Sequence, residues 1–134
     1  MSKILLVEDN LALAHGYALR LNSFGYDVIH ADCISKAVSC ASKRKPDLSI
    51  IDINLPDGTG FMFANQINSN PNLAEIPVIF MTASSSEQFK DAATLYGPVA
   101  YLEKPIRAAD LINAIAACHY FTTTKTELVP GINH

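Results

Sequence analysis

DLSIIDINLPDGTG, residues 47–60, is the stretch on which the reading of the chain turns. Leu48, Ile50 and Ile51 crowd apolar side chains onto neighbouring positions instead of alternating them, which is what a strand covered on both faces requires. Such strands belong to parallel sheets clad by helices. The run ends in a carboxylate, Asp52, and then turns through Pro56-Asp57-Gly58, read as turn chemistry leading into the next helix. A charged group at the tip of a buried strand needs a reason.

Outward from this stretch, apolar runs of strand length alternate with stretches of helical period. Ile4–Val7 precedes Leu11–Phe24, Val28–His30 precedes Ile34–Ala41, and Leu48–Ile51 precedes Phe61–Ile67. Val78–Met81 then precedes Phe89–Tyr96, and Ala100–Leu102 precedes Leu111–Tyr120. Five strand–helix units in succession imply an α/β fold with a five-stranded parallel sheet and helices on both faces. Gly25 and Gly97 sit where helices should end, and Ser84-Ser85-Ser86-Glu87 reads as a capping box before the fourth helix. Lys43, Arg44 and Lys45 precede Pro46, so this basic triplet reads as a helix C-terminus and not as a recognition patch.

The 134 residues fit one domain, expected over residues 1–121, with 122–134 as a loosely ordered tail too short for an output domain. A net charge of -3 gives no footprint for a phosphate backbone, so direct nucleic-acid binding is not expected. Cys33, Cys40 and Cys118 are odd in number and lack metal-ligand spacing, which argues against a disulfide framework or a zinc site. The apolar run in MSKILLVEDN meets charge at Glu8, too soon for a signal peptide or a membrane span, and a cytoplasmic location is expected. His15, His30, His119 and His134 are scattered without useful partners and are assigned no catalytic or metal role.

In an open α/β sheet, ligands bind beyond the carboxyl ends of the strands. The first strand delivers Glu8-Asp9 to that edge, the third Asp52 and Asn54, the fourth Thr82-Ala83-Ser84, and the fifth Tyr101 to Pro105. Carboxylates that converge repel one another unless a cation sits among them. All-oxygen ligation suits Mg2+, and Lys104 is a point charge able to balance Asp52 and then hold a phosphate oxygen. Asp9 and Asn10 are also good helix N-caps, a second duty beside the first.

With ILLVEDN, DLSIIDINLPDGTG, IPVIFMTAS and YLEKPI in order at four strand ends, the chain resembles the receiver domain of two-component response regulators over about residues 3–120. The resemblance implies a flavodoxin-like strand order 2-1-3-4-5. It implies that Asp52 accepts a phosphoryl group from a phosphohistidine of a histidine kinase or phosphotransfer protein. Glu8, Asp9, Asp52 and the backbone carbonyl of Asn54 would hold Mg2+, with Mn2+ as an alternative. Thr82 would bond the aspartyl phosphate and Tyr101 would turn inward behind it. Lys104-Pro105 would be a cis peptide, and Asn54 and Ser84 would flank the path of the hydrolytic water. The output would be a downstream protein target or a second copy, bound through the face of the fourth helix, fifth strand and fifth helix.

Two other classes fit less well. A haloacid dehalogenase-like phosphatase also places a nucleophilic Asp at a strand end but needs an acid two residues on, where this chain has Asn54. A flavodoxin-like FMN binder needs a phosphate cradle after the first strand, where EDNLALAHG offers acids. Departures from the receiver pattern are Pro98-Val99-Ala100 before the fifth-strand aromatic and a fifth helix poor in the charges by which one transcription-factor subfamily dimerises.

Overall fold

The computed structural model describes residues 3–83 and 87–127, with side chains described as far as residue 118. The sheet strands are β1 (Lys3–Val7), β2 (Asp27–Ala31), β3 (Leu48–Asp52), β6 (Val78–Thr82) and β7 (Ala100–Glu103), and a small hairpin of β4 (Asn54–Leu55) and β5 (Gly58–Thr59) follows β3. The helices are α1 (Leu11–Ser23), α2 (Ile34–Arg44), α3 (Gly60–Asn68), α4 (Glu87–Thr94) and α5 (Ala108–Glu127). The sheet runs β2-β1-β3-β6-β7, with every sheet pair parallel. Counted along its own five strands this is the order 2-1-3-4-5. Helix α5 carries regular structure on to Glu127, past the boundary at 121 expected from the sequence.

Side-chain alternation sorts the core into two layers. Ile4, Leu6, Leu48, Ile50, Ile79 and Met81 face α1 and α5, meeting Ala14, Leu21, Leu111 and Ile115. Leu5, Val7, Ile51, Val78 and Phe80 face the other way, meeting Ile34, Ala37, Phe63 and Ile67 of α2 and α3, with Ala93 of α4. The central strands β3 and β6 are buried throughout, while β2 and β7 carry exposed positions as sheet edges do. The consecutive apolar positions read from the sequence thus mark the central strands.

The helix ends follow their residues. Asn10 caps α1 by accepting the Leu13 N–H on its side-chain oxygen at 3.1 Å, so Asn10 and not Asp9 is the cap. Gly25 follows α1 at φ +92, and Gly97 lies at φ +55 just past α4. Lys43 and Arg44 fill the last turn of α2, and Lys45 forms its left-handed C-cap at φ 44. The Lys3 ammonium donates to the Arg44 carbonyl at 3.0 Å, satisfying one orphan acceptor of that helix end. Ser84 to Ser86, three of the four residues of the expected capping box, lie outside the described residues.

Two features were not expected. Short as it is, the β4–β5 hairpin fixes the chain directly after Asp52, pairing Asn54 with Thr59 and Leu55 with Gly58. Gly60 then starts α3 so close to β3 that an added Cβ would stand 2.6 Å from the Asp52 carbonyl oxygen. Only a residue without a side chain lets the helix begin there.

Candidate functional site

Continued one step past the strand ends, the sheet's alternation places Glu8, Asp52 and Lys104 on the α1/α5 side and Thr82 and Tyr101 on the other. The contacts agree. The Lys104 ammonium donates to Glu8 Oε1 and to Asp52 Oδ2, each at 2.5 Å. The second oxygens are also taken: Glu8 Oε2 accepts the Asn10 N–H at 3.1 Å, and Asp52 Oδ1 accepts the Asn54 N–H at 3.0 Å. Glu8 is fully buried and Asp52 nearly so, whereas Asp9 is exposed. The Lys104-Pro105 peptide is cis.

Burial pushes the Glu8 carboxyl above its ordinary range and Asp52 adds to this, against the lowering bonds from Lys104 and the Asn10 N–H. For Lys104, burial favours the neutral amine, but the bonds to Asp52 and Glu8 outweigh it and raise the ammonium's pKa. The pair of carboxylates therefore keeps the lysine charged.

Glu8, Asp9 and Asp52 offer one carboxylate oxygen each within 4.8 Å of one another. This all-oxygen, partly solvent-facing set fits a hard divalent cation such as Mg2+, which keeps waters and takes few protein carboxylates. The acidic cluster fits a phosphoaspartate and Mg2+ site.

Thr82 ends β6 fully buried, and its carbonyl accepts the Lys104 N–H at 2.7 Å. This ties the fourth sheet strand to the lysine. The Tyr101 hydroxyl is already buried, with no hydrogen bond of ordinary geometry among the described residues. Burial and then the Glu103 carboxylate push this phenol up, while the Thr82 side chain acts in the lowering sense, so the two hydroxyl residues stand near each other. Ser84 lies outside the described residues.

Three participants were not read from the sequence. Tyr17, on the buried face of α1, has its phenol pushed up by burial and lies in the field of Lys104, Glu8 and Asp52. The one signal was a hydroxyl on an otherwise apolar helix face. His30 donates from Nε2 to the Glu8 carbonyl at 2.7 Å, steadying the chain at the site from the edge strand β2. Asp57, read only as turn chemistry, accepts the N–H groups of Ile34 and Ser35 at 2.8 and 3.1 Å. It caps α2 from another part of the chain, where the N-cap residue Cys33 makes no side-chain cap. A helix starting behind a cysteine was the available hint. All three cysteines are free thiols.

A family model described as the response regulator receiver domain matches residues 4–116. The KDP operon transcriptional regulatory protein KdpE of Escherichia coli is 33% identical over 132 residues, covering 96% of this chain and 57% of that protein. Protein PilH of Pseudomonas aeruginosa is 30% identical over 117 residues, covering 87% of this chain and 97% of that protein. The chain thus spans little more than half of the first relative and nearly all of the second. Among solved structures, the chemotaxis response regulator CheY4 of Vibrio cholerae superposes with a TM-score of 0.80 at 27% identity, covering 87% of this chain and 97% of that one. With a matching family model over most of its length and relatives of this identity, the chain belongs to the response regulator receiver domains of two-component systems.

Proposed function

We propose that Asp52 accepts a phosphoryl group from a phosphohistidine of a histidine kinase or phosphotransfer protein, in a Mg2+-dependent reaction. The observation that carries this reading is the Lys104 ammonium held between Asp52 and Glu8 with Asp9 beside them. An Asp52 oxygen attacks phosphorus, the bond from phosphorus to the donor imidazole breaks, and the imidazole nitrogen takes up a proton. Glu8, Asp9, Asp52 and the Asn54 carbonyl would hold Mg2+ or Mn2+, which when bound neutralises charge on the phosphoryl oxygens. Lys104 exchanges its bond to Asp52 for one to a phosphoryl oxygen, and Thr82 donates its hydroxyl to another. The chain acts on no other substrate; it promotes only its own phosphorylation and dephosphorylation.

A cleft of about 390 Å3 opens between α1 and the start of α5, lined by Leu13, Gly16, Tyr17, Arg20, Ile106 and Arg107. Tyr17 lines this cleft and lies in the field of Lys104, Glu8 and Asp52, which supports an approach of the phosphodonor from that side. Output starts from the other face of the sheet, where Thr82 and Tyr101 lie. Thr82 moves toward the phosphoryl group and Tyr101 settles behind it, altering the face of α4, β7 and α5 that binds a downstream protein or a second copy. On α5, Ala109 and Ala116 are exposed while Ile106, just before it, and Ile112 are half-buried against the core; the Tyr120 side chain lies outside the described residues. No helix among the described residues is long and apolar enough to cross a membrane.

Acetyl phosphate with Mg2+ tests the acceptor. The expected result is one adduct, mapped to Asp52, that disappears without a divalent ion. Labelling that survives Asp52→Asn overturns the assignment. For the lifetime, the shortness of the Ser84 side chain predicts a phosphoform lasting minutes or longer and faster decay in Ser84→Glu; a wild-type lifetime of seconds overturns that part.

A further inference from the structure

The Asp57 side chain holds two N–H groups of a helix that begins 23 positions earlier in the chain. Helix α2 starts behind Cys33, whose backbone is extended at φ -156 and ψ 168 and whose thiol makes no cap bond. Its first free N–H groups, those of Ile34 and Ser35, go instead to the two oxygens of Asp57. Asp57 lies in the turn of the β4–β5 hairpin, between Leu55 and Gly58. The same turn packs on the start of α2: an added Cβ at Gly58 would stand 3.0 Å from Ile34 Cδ1 and 2.5 Å from Met62 Sδ. Leu55 is buried in the same core layer as Ile34. At the hairpin's other end is Asn54, whose N–H holds Asp52 Oδ1 at 3.0 Å.

From this geometry we infer that Asp57 is a positioning residue for phosphoryl transfer: by fastening the hairpin tip to the N-terminus of α2, it fixes the Asn54 backbone against Asp52. The inference rests on the reading of Asp52 as a Mg2+-dependent phosphoacceptor. The hairpin is two residues per strand and cannot hold itself, because an isolated two-stranded ribbon is marginal even when longer. Its order must come from what its ends touch. Its base is held where it leaves β3 and where Gly60 begins α3, with the Gly60 N–H donated to the Ile53 carbonyl at 2.8 Å, and its tip is latched by Asp57. Without the latch, the Asn54 N–H and carbonyl sample a wider range, and the carbonyl is the backbone group assigned to the metal. A carboxylate suits the task because two oxygens can meet two adjacent N–H groups, and because negative charge is favoured at a helix N-terminus.

A cap that only stabilises α2 would be replaceable by any other cap on α2. Cys33 already has the extended backbone of an N-cap, so Cys33→Ser supplies a local cap independent of the hairpin. Four proteins are compared: wild type, Asp57→Ala, Cys33→Ser and the double variant Asp57→Ala/Cys33→Ser. Mg2+ affinity is measured by calorimetry, thermal midpoint by circular dichroism, and the Asn54 amide by NMR. The double variant is expected to regain the wild-type midpoint while its Mg2+ affinity stays about three- to tenfold weak, less than the ~10–100-fold typical of a group bonded directly to a metal ligand. Its Asn54 amide is expected to be broadened or shifted relative to wild type. Recovery of Mg2+ affinity together with the midpoint would reduce Asp57 to a helix cap and overturn the inference. A wild type that binds no Mg2+ would overturn the site reading itself, and the inference with it.

Discussion

Lys104 and Asp52, 52 positions apart in the chain, meet with Nζ 2.5 Å from Oδ2, and the same ammonium lies 2.5 Å from Glu8 Oε1. One cation thus holds two strand ends whose carboxylates would otherwise repel. Removing it by Lys104→Met leaves both acids without their main partner. Breaking a fully buried pair costs about 3–5 kcal/mol, and since the lysine keeps some solvent contact we expect a loss of about 1–3 kcal/mol in urea unfolding. Mg2+ should return more stability to this variant than to wild type, because the ion then supplies the missing charge. A variant as stable as wild type in metal-free buffer would show that the lysine does not hold the two acids.

Asp9 adds negative charge to the same cluster from an exposed position. Asp9→Ala should therefore raise metal-free stability by about 0.5 kcal/mol, the scale of exposed charge interactions, while weakening Mg2+ binding. The two effects have opposite signs, so one set of unfolding curves with and without Mg2+ separates them. A variant that is less stable without metal would mean that Asp9 bonds the fold instead of crowding its neighbours.

The strand-end chemistry was legible because the sequence carries it locally. Asp52, Thr82 and Lys104 each close or follow an apolar run, and in a parallel sheet those runs end on one edge. Consecutive apolar positions in β3 announced burial on both faces, and Gly25 and Gly97 announced helix ends. The links that cross the chain were hidden. Nothing near Asp57 in sequence says that its oxygens reach Ile34 and Ser35, and nothing near His30 points to the Glu8 carbonyl. The β4–β5 hairpin escaped because strands of two residues have no period to detect. Gly60 could be read as a turn residue, yet its need is steric, the approach of α3 to the Asp52 carbonyl.

The buried Tyr101 hydroxyl makes a sharper test than its ring. The hydroxyl has no hydrogen bond of ordinary geometry among the described residues, and a buried polar group without one costs about 1–3 kcal/mol, so Tyr101→Phe should leave stability unchanged or raise it by up to ~1 kcal/mol. Loss of a tyrosine hydroxyl that has a partner would lower it instead. The same substitution should favour the inward ring before phosphorylation, and so raise basal binding of whatever partner the phosphoform selects. Tyr101→Ala should weaken phosphorylation-dependent binding without loss of phosphorylation. A clear destabilisation of Tyr101→Phe would mean that the hydroxyl is paired in solution.

Asp57 sets a pH dependence whose sign follows from its bonds. The Ile34 N–H above all, joined by the Ser35 N–H, holds its carboxyl below the ordinary value of 3.8 against the opposing effect of desolvation. In the unfolded chain those bonds are gone and the carboxyl titrates at its ordinary value. Between the two values the unfolded state binds more protons than the folded one, so stability rises with pH there. The contribution of Asp57 is thus complete above 3.8 and is lost as pH falls through the depressed folded value. Asp57→Ala should accordingly be less stable than wild type at neutral pH, with the gap narrowing as acid protonates the wild-type carboxyl. Urea midpoints of the two proteins across a pH series measure the gap directly, and the difference between them cancels every contribution that both proteins share. A gap that stays constant through the acid range would mean that the charge on Asp57 contributes nothing at the start of α2 and that the turn is held by packing of Gly58 and Leu55 alone.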